Sequence, residues 1–260
     1  MGNPAALGTY LLLACPFSLC LLQRPGRPGK ALGSVTLILG LTCLFLTFSR
    51  SAFMGLIAMM AFYLIMVKDI KRLLLFGLLF LVFSNMMALL PYPFNRLTLN
   101  GTLFQGRGFF TAFRSVRFDI AAQMFRDSPF WGVGLNHFRV LFDQYYTLKD
   151  GMPLVPFEHK IADNMYLTLW AETGLAGISG LLIFMTTLFA RGIKKIKALR
   201  GNAARSLRLI PFVSLVGFLV NMNGYEIWYW PNLYLFFCLI CGFMQGGTED
   251  PEGVGVVSHG

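Results

Sequence analysis

The longest apolar stretch of the chain, residues 32–67, carries a single charged residue, Arg50. As one helix this stretch would extend roughly 54 Å at 1.5 Å per residue, whereas the hydrocarbon core of a bilayer is about 30 Å thick. We therefore expect two membrane-spanning helices joined by a tight turn. Arg50 falls near the middle of the stretch, so the turn places it at the membrane surface.

The composition extends this expectation to the whole chain. Of the 260 residues, 56% are hydrophobic and 13% are charged, which is about half the charged fraction of an ordinary soluble domain. So little polar surface excludes a soluble enzyme and a disordered chain. All five cysteines lie inside apolar runs, which indicates packing rather than a disulfide scaffold or a metal site.

Seven apolar segments are candidate spans, since a spanning helix needs about 20 residues. Seven spans place the basic loops 23–31, 68–72 and 191–208 on one side, which the positive-inside rule identifies as the cytoplasm. These loops hold 3, 3 and 7 of the 22 Lys and Arg residues, 13 in all, so the net charge of +10 does not require a nucleic acid partner. The predicted spans are 5–22, 32–48, 51–67, 73–90, 164–190, 209–223 and 232–245.

This topology predicts an all-α polytopic membrane protein in four parts. Residues 1–90 hold four spans, 91–163 form a large extracytoplasmic loop with an amphipathic helix, 164–245 hold three spans, and 246–260 form a disordered cytoplasmic tail. Nine cations remain outside the basic loops (22 − 13), and eight of them lie in the outer loop. Cations on the outward face oppose the topological bias, which indicates an anionic ligand there.

One of these cations is predicted to lie on an apolar helix face. Apolar residues recur at helical spacing over 110–125, and at 100° per residue Arg117 lies about 20° from Met124. A cation in that position needs an anionic partner. Two interpretations remain open: an ion pair with a nearby carboxylate, or a phosphate clamp using the bidentate arginine fork. Arg114, at the edge of the same face, is a candidate to assist.

Polar residues also form a stripe on the fifth predicted span. Asn164, Thr168 and Glu172 are spaced four residues apart, and Glu172 lies roughly 12 Å into the helix. An ionisable group at depth is a candidate site residue; the alternative is that it pairs with a basic residue and holds the bundle together. His159 is a candidate general base, because it lies four residues before Asp163 at the entry to this helix.

Four stretches, in this order, match the pattern of a known family. They are Gly2-Asn3-Pro4, then TFSRSA at 47–52, RFDIAAQMFRDSPFWGVGLNHF at 117–138, and ADNMYLTLWAETGLAG at 162–177. Together they resemble the O-antigen ligase and O-antigen polymerase family. The resemblance covers most of the chain up to about residue 180 and corresponds to the C-terminal part of the usual family length. We therefore expect a fragment, or a chain with a misassigned start.

The resemblance implies an all-α membrane enzyme related to GT-C glycosyltransferases, in the bacterial inner membrane with an extracytoplasmic active face. Such enzymes transfer a glycan from an undecaprenyl-diphosphate carrier to an acceptor glycan or glycolipid, without a metal or a cofactor. Diphosphate binding is implied for Arg50 and Arg117. Many members have His-Asn where this chain has Asp163-Asn164, so the role of the base passes to Asp163 or His159.

The expected reaction is attack by an acceptor hydroxyl on the anomeric carbon of the carrier-linked glycan. Arg114 and Asn164 are expected to assist substrate binding, and Glu172 to organise the polar stripe within the catalytic set. The alternatives are a transporter or flippase for lipid-linked glycans and an inactive truncated family member. A transporter should place polar groups near the bilayer midplane, whereas these cluster at the outer end, which favours an enzyme.

Overall fold

The computed structural model describes residues 4–22, 26–89, 109–146, 160–198, 202–226 and 230–245. Within these ranges the protein is helical and contains no β-strand. The predicted tail 246–260 lies outside the described residues, as do residues 91–108 and 147–159 of the predicted outer loop. The helices are α1 Pro4–Ala14, α2 Ser18–Leu22, α3 Arg27–Leu46, α4 Arg50–Val67, α5 Ile70–Ala88, α6 Phe109–Asp127, α7 Phe138–Tyr145, α8 Met165–Ala198, α9 Asn202–Asn221 and α10 Pro231–Gln245.

In the part of the chain that the structure describes, four helical stretches are long and apolar enough to cross a membrane, which confirms the predicted all-α class with membrane-spanning helices. Three shorter apolar helices overlap the other predicted spans, so the number seven stays a prediction, as does the extent of the outer loop. The four long stretches are Pro4–Leu22, Arg27–Leu46, Arg50–Val67 and Met165–Lys197, and the shorter helices are Leu74–Phe83, Leu207–Asn221 and Pro231–Gln245.

The stretch with a single charge folds as a helical hairpin. α3 ends at Leu46 and α4 begins at Arg50, so only residues 47–49 form the turn. The hydroxyl of Ser49 accepts a hydrogen bond from the amide of Ala52 at 3.4 Å, as an N-cap residue does. Arg50 is therefore the first residue of a capped helix, at one end of the bundle.

The main core of the bundle surrounds α9, which packs against α1, α4, α8 and α10. The backbones of α4 and α9 approach closely: a Cβ atom on Gly55 would lie 2.6 Å from the carbonyl oxygen of Gly217. Small residues at helix contacts favour such packing in membranes. Asn221 of α9 donates a buried hydrogen bond from Nδ2 to Oγ1 of Thr9, at 2.6 Å, so polar as well as apolar contacts join α9 to α1.

A second, smaller core lies where α6 and α7 pack on the first part of α8. Phe125 of α6 stacks on Trp170 of α8 with ring centroids 4.2 Å apart. This core is where the predicted amphipathic helix, observed as α6, buries its apolar face. Its buried members are Ile120, Ala121, Met124, Phe138, Phe142, Tyr146, Ala162 and Ala171.

Candidate functional site

α8 is interrupted at Gly174, whose φ of 60° and ψ of −156° are not helical. Residues 165–173 and 175–198 are therefore two helical segments, where the sequence predicted a continuous span. The loop after α6 supplies the backbone hydrogen bonds that the interruption removes from the helix. From the loop, the amide of Val133 donates to the carbonyl of Ala171 at 3.0 Å and the amide of Gly134 to that of Glu172 at 2.9 Å. From α8, the amide of Leu175 donates to the carbonyl of Pro129 at 2.8 Å and the amide of Ala176 to that of Phe130 at 3.0 Å.

Glycine is required on both sides of this contact. A Cβ atom on Gly174 would lie 2.6 Å from the carbonyl carbon of Phe130, and one on Gly132 would overlap the backbone of Glu172. Both glycines have positive φ angles, 60° and 69°, in the region that residues with a side chain seldom adopt. The loop between α6 and α7, residues 128–137, thus packs with its backbone directly against the backbone of α8.

Glu172, the deepest acidic residue of the predicted stripe, binds this loop. Its side chain is buried, and its carboxylate accepts hydrogen bonds from the amide of Asn136 at 2.8 Å and the amide of Phe138 at 3.0 Å. Phe138 is the first residue of α7, and a carboxylate at a helix N-terminus is favourably placed. Glu172 therefore ties α7 and its preceding loop to α8.

A second buried carboxylate, Glu226, lies in the short connection between α9 and α10. The Oγ1 hydroxyl of Thr168 and the amide of Ala162, at 2.7 Å, both donate to its Oε1 atom. The side chain is only 2% exposed. The sequence analysis did not predict Glu226 as a site residue. The one feature that could have indicated it is that it is a single acid next to the apolar end of the predicted span 209–223.

Burial raises the pKa of Glu226 to about 7, and the negative charge of Asp163 adds to the increase. The hydrogen bonds from Thr168 and Ala162, and the cation of Arg139, oppose it. Among the described residues, its Oε2 atom has no hydrogen-bond partner. Burial also raises the pKa of the neighbouring Tyr225, as do the charges of Glu226 and Asp163. The carboxyl group of Glu226 therefore changes charge near neutral pH.

Arg117 of α6 forms an ion pair with Asp163, the second residue before α8, through its Nη1 atom and Oδ2 of the carboxylate. The two side chains are 12% and 31% exposed, so the pair is accessible from the carboxylate side. Asp163 has a φ of 53°, which is uncommon for a residue other than glycine. The hydrogen bond between Ala162 and Glu226 holds the backbone beside it.

These groups form one polar cluster at the end of the bundle where α6, α7 and α8 meet. Within it, Asp163 pairs with Arg117, and Glu226 lies within Coulomb range of Arg139. The polar cluster comprises Arg117, Arg139, Asp163, Thr168 and Glu226.

The turn that carries Arg50 adjoins the segment that carries Glu226. A Cβ atom on Gly224 would lie 2.8 Å from Cβ of Ser51, so the start of α4 packs two residues away from Glu226. Arg50 itself is half-buried. The structure therefore brings the Arg50 turn to the same end of the bundle as the Arg117–Asp163 pair.

The other predicted site residues have different positions. Asn164 caps α8, because its Oδ1 atom accepts hydrogen bonds from the amides of Tyr166 at 2.9 Å and Leu167 at 3.2 Å. Arg114 lies on α6, but its side chain is outside the described part of the protein, and His159 also lies outside the described residues. Among the predicted site residues, Arg117 and Asp163 are in direct contact, through their ion pair.

The comparisons with known proteins identify one family. A family model described as O-antigen ligase matches residues 35–185, which is more than half of the chain. The matched residues include the Arg50 turn, α6, the loop between α6 and α7, and the Arg117–Asp163 pair. Glu226 lies outside the matched range. No curated protein and no solved structure matches the chain.

Proposed function

Because the chain belongs to the O-antigen ligase family, we propose that it joins an undecaprenyl-diphosphate-linked glycan to a glycan or glycolipid acceptor. The proposed site faces the extracytoplasmic side of the inner membrane. The observation that carries the proposal is the Arg117–Asp163 ion pair. It combines the two groups that such a transfer needs, a cation for the leaving diphosphate and a carboxylate for the acceptor proton.

In the proposed reaction, the oxygen of an acceptor hydroxyl attacks the anomeric carbon of the donor glycan. The bond between that carbon and the diphosphate oxygen breaks, and the hydroxyl proton passes to the carboxylate of Asp163. The diphosphate leaves with the bonding electrons and gains negative charge, which a fixed arginine offsets in a site shielded from water. No redox partner is required for this exchange.

The ion pair represents the state of the site before the donor binds. Arg117 then exchanges the carboxylate for two phosphate oxygens, which its guanidinium fork fits. This exchange releases Asp163 to accept a proton. The side chain of Asp163 is 31% exposed and that of Arg117 is 12% exposed. This difference supports approach of the acceptor from the carboxylate side.

Arg50 supplies a second cation in the proposal. It begins α4 after the Ser49 cap, and the N-terminus of a helix carries a partial positive charge. The packing of Ser51 beside Gly224 supports a position next to the polar cluster. We assign the second phosphate group of the carrier to Arg50.

Glu226 is a positioning residue in this scheme. Its carboxylate accepts a hydrogen bond from the amide of Ala162. Ala162 directly precedes Asp163, whose backbone is in the left-handed region. Glu172 acts similarly on the opposite side, by fixing the loop that precedes α7. Both acids therefore act on the reaction through the residues they hold in place.

The test compares glycan transfer by membranes that contain the wild type, Arg117→Ala, Asp163→Asn or Arg50→Ala. Arg126→Ala is the matched control, because Arg126 is an exposed arginine on the same helix. Losing a cation that stabilises the transition state should lower the rate about 100-fold or more. The control should retain wild-type transfer at equal protein level, and wild-type transfer by Arg117→Ala would refute the assignment.

A charge exchange separates this role from a purely structural ion pair. The double variant Arg117→Asp/Asp163→Arg retains an ion pair at this position but moves the cation to the α8 side. The proposal expects a folded but inactive protein. Recovery of transfer in the double variant, above that of either single variant, would show that only the pairing matters.

A further inference from the structure

A cavity of about 480 Å³ lies at the opposite end of α8, between its last turns and the end of α10. Its walls are largely apolar, and two cations, Arg191 and Lys195, lie at one end. Cavities of this size accommodate small molecules or parts of lipids. The apolar wall is formed mainly by Ile183, Phe184, Leu188 and Met244.

The position of the cavity along α8 corresponds to the far membrane interface. Arg191 follows the interruption at Gly174 by 17 residues (191 − 174), roughly 25 Å of helix at 1.5 Å per residue. That length is close to the hydrocarbon thickness of about 30 Å. With the polar cluster at one interface, Arg191 and Lys195 lie at the headgroup level of the other, which is the predicted cytoplasmic side.

The cavity is open at the outer surface of α8. Ile183 is 67% exposed, and a Cβ atom on Gly180 would meet no other atom within 4 Å. At the charged end, Nζ of Lys195 donates to the carbonyl oxygen of Gln245 at 3.3 Å, which directs the ammonium group toward the cavity wall. None of the described residues that line the cavity is acidic.

We propose that this cavity binds one anionic phospholipid of the cytoplasmic leaflet. Its phosphodiester lies between Arg191 and Lys195, and an acyl chain lies along Ile183 and Phe184. An apolar groove that ends in two cations matches the order of groups in such a lipid, and basic pockets between helices on this side favour anionic headgroups. A zwitterionic lipid brings its own cation and fits less well.

Native mass spectrometry of the purified full chain in detergent tests this site with dioleoylphosphatidylglycerol, dioleoylphosphatidylcholine and inorganic phosphate as probes. The variant is Arg191→Gln/Lys195→Gln. The matched control is Lys194→Gln/Lys197→Gln, which removes the same charge from exposed positions of the same turns that do not line the cavity.

We expect the anionic lipid to bind the first variant about 30-fold more weakly than the wild type, since each basic residue near an anionic headgroup contributes about 1 kcal/mol. The control should change the affinity by less than about threefold, and phosphatidylcholine should bind weakly to all three proteins. If the double variant does not fold, Arg191→Gln alone should weaken binding about fivefold.

Three results would overturn the proposal. Equal losses in both double variants would mean general attraction to a basic surface. Binding of inorganic phosphate as tightly as the lipid would mean a site for small anions. Lipid binding that appears only after removal of residues 246–260, which carry Glu249, Asp250 and Glu252, would mean that this segment occupies the cavity.

Discussion

Replacing Glu226 by glutamine should remove a pH dependence from the stability of the protein. Burial raises the pKa of this carboxyl from its ordinary 4.5 to about 7 in the folded state. Between these values the folded protein keeps a proton that the unfolded chain has lost, so stability falls as the pH rises through this window. Below pH 4.5 both states are protonated, and above pH 7 the full cost of a buried carboxylate remains.

The magnitude follows from the same two values. A difference of about 2.5 pKa units corresponds to about 3 kcal/mol at 1.36 kcal/mol per unit. This value is a net effect, because Asp163 raises the pKa of Glu226 while Arg139 and the two hydrogen bonds lower it. Glutamine keeps an oxygen that accepts from Ala162 and Thr168, and it stays neutral at every pH.

The assay is unfolding of the purified protein in detergent at pH 5, 6, 7 and 8, followed by tryptophan fluorescence. We expect the wild type to lose about 2–3 kcal/mol relative to Glu226→Gln between pH 5 and 8, because a smaller part of the effect falls below pH 5. Titrating groups that do not interact with Glu226 cancel in this difference. Parallel pH profiles for the two proteins would refute a buried carboxyl that ionises near neutral pH.

Transfer activity separates positioning from simple stability. Glu226→Gln should retain most of the wild-type rate and lose any inflection near pH 7, because the bond to the amide of Ala162 persists. Glu226→Ala should lose both the rate and the inflection. Equal rates and equal pH profiles for the alanine variant and the wild type would contradict the positioning role.

Two further predictions concern the geometry around the site. Gly174→Ala should destabilise the protein by about 1–3 kcal/mol in the same unfolding assay, because its positive φ and the backbone of Phe130 at 2.6 Å both oppose a side chain. Gly180→Ala, in open space inside the helix, should be neutral or stabilise the protein by up to about 1 kcal/mol. Equal destabilisation by the two substitutions would refute the close approach. Asn164→Ala should cost about 1 kcal/mol through loss of the α8 cap while reducing transfer far less than Arg117→Ala. A loss of transfer as large as that of Arg117→Ala, in a folded protein, would assign Asn164 a direct role in substrate binding.

Features that depend on local sequence could be predicted. The hairpin at Arg50 follows from the length of an apolar stretch with one charge, and the structure places α4 at that residue. The position of Arg117 follows from helical spacing in the same way, since Ile120 and Met124 on its face are buried. Both inferences need only residues within a few turns of each other.

Features that depend on distant contacts could not be predicted. Asp163 is 46 residues from Arg117, so the sequence indicated a need for an anionic partner without identifying it. Glu226 is 64 residues from Ala162, and no periodic pattern marks it. Likewise, nothing in the composition of the fifth span predicted a break at Gly174, because the hydrogen bonds that stabilise the break come from residues 129–134.

The most direct test of diphosphate binding by Arg117 is the affinity of undecaprenyl diphosphate, the bare carrier, for the protein in nanodiscs. The comparison uses the wild type, Arg117→Gln and Arg126→Gln. Because a hydrogen bond to a charged group contributes about 1.5–3 kcal/mol, we expect at least about tenfold weaker binding for Arg117→Gln and no change for Arg126→Gln. Equal affinities for all three proteins would contradict the claim that Arg117 binds the carrier diphosphate.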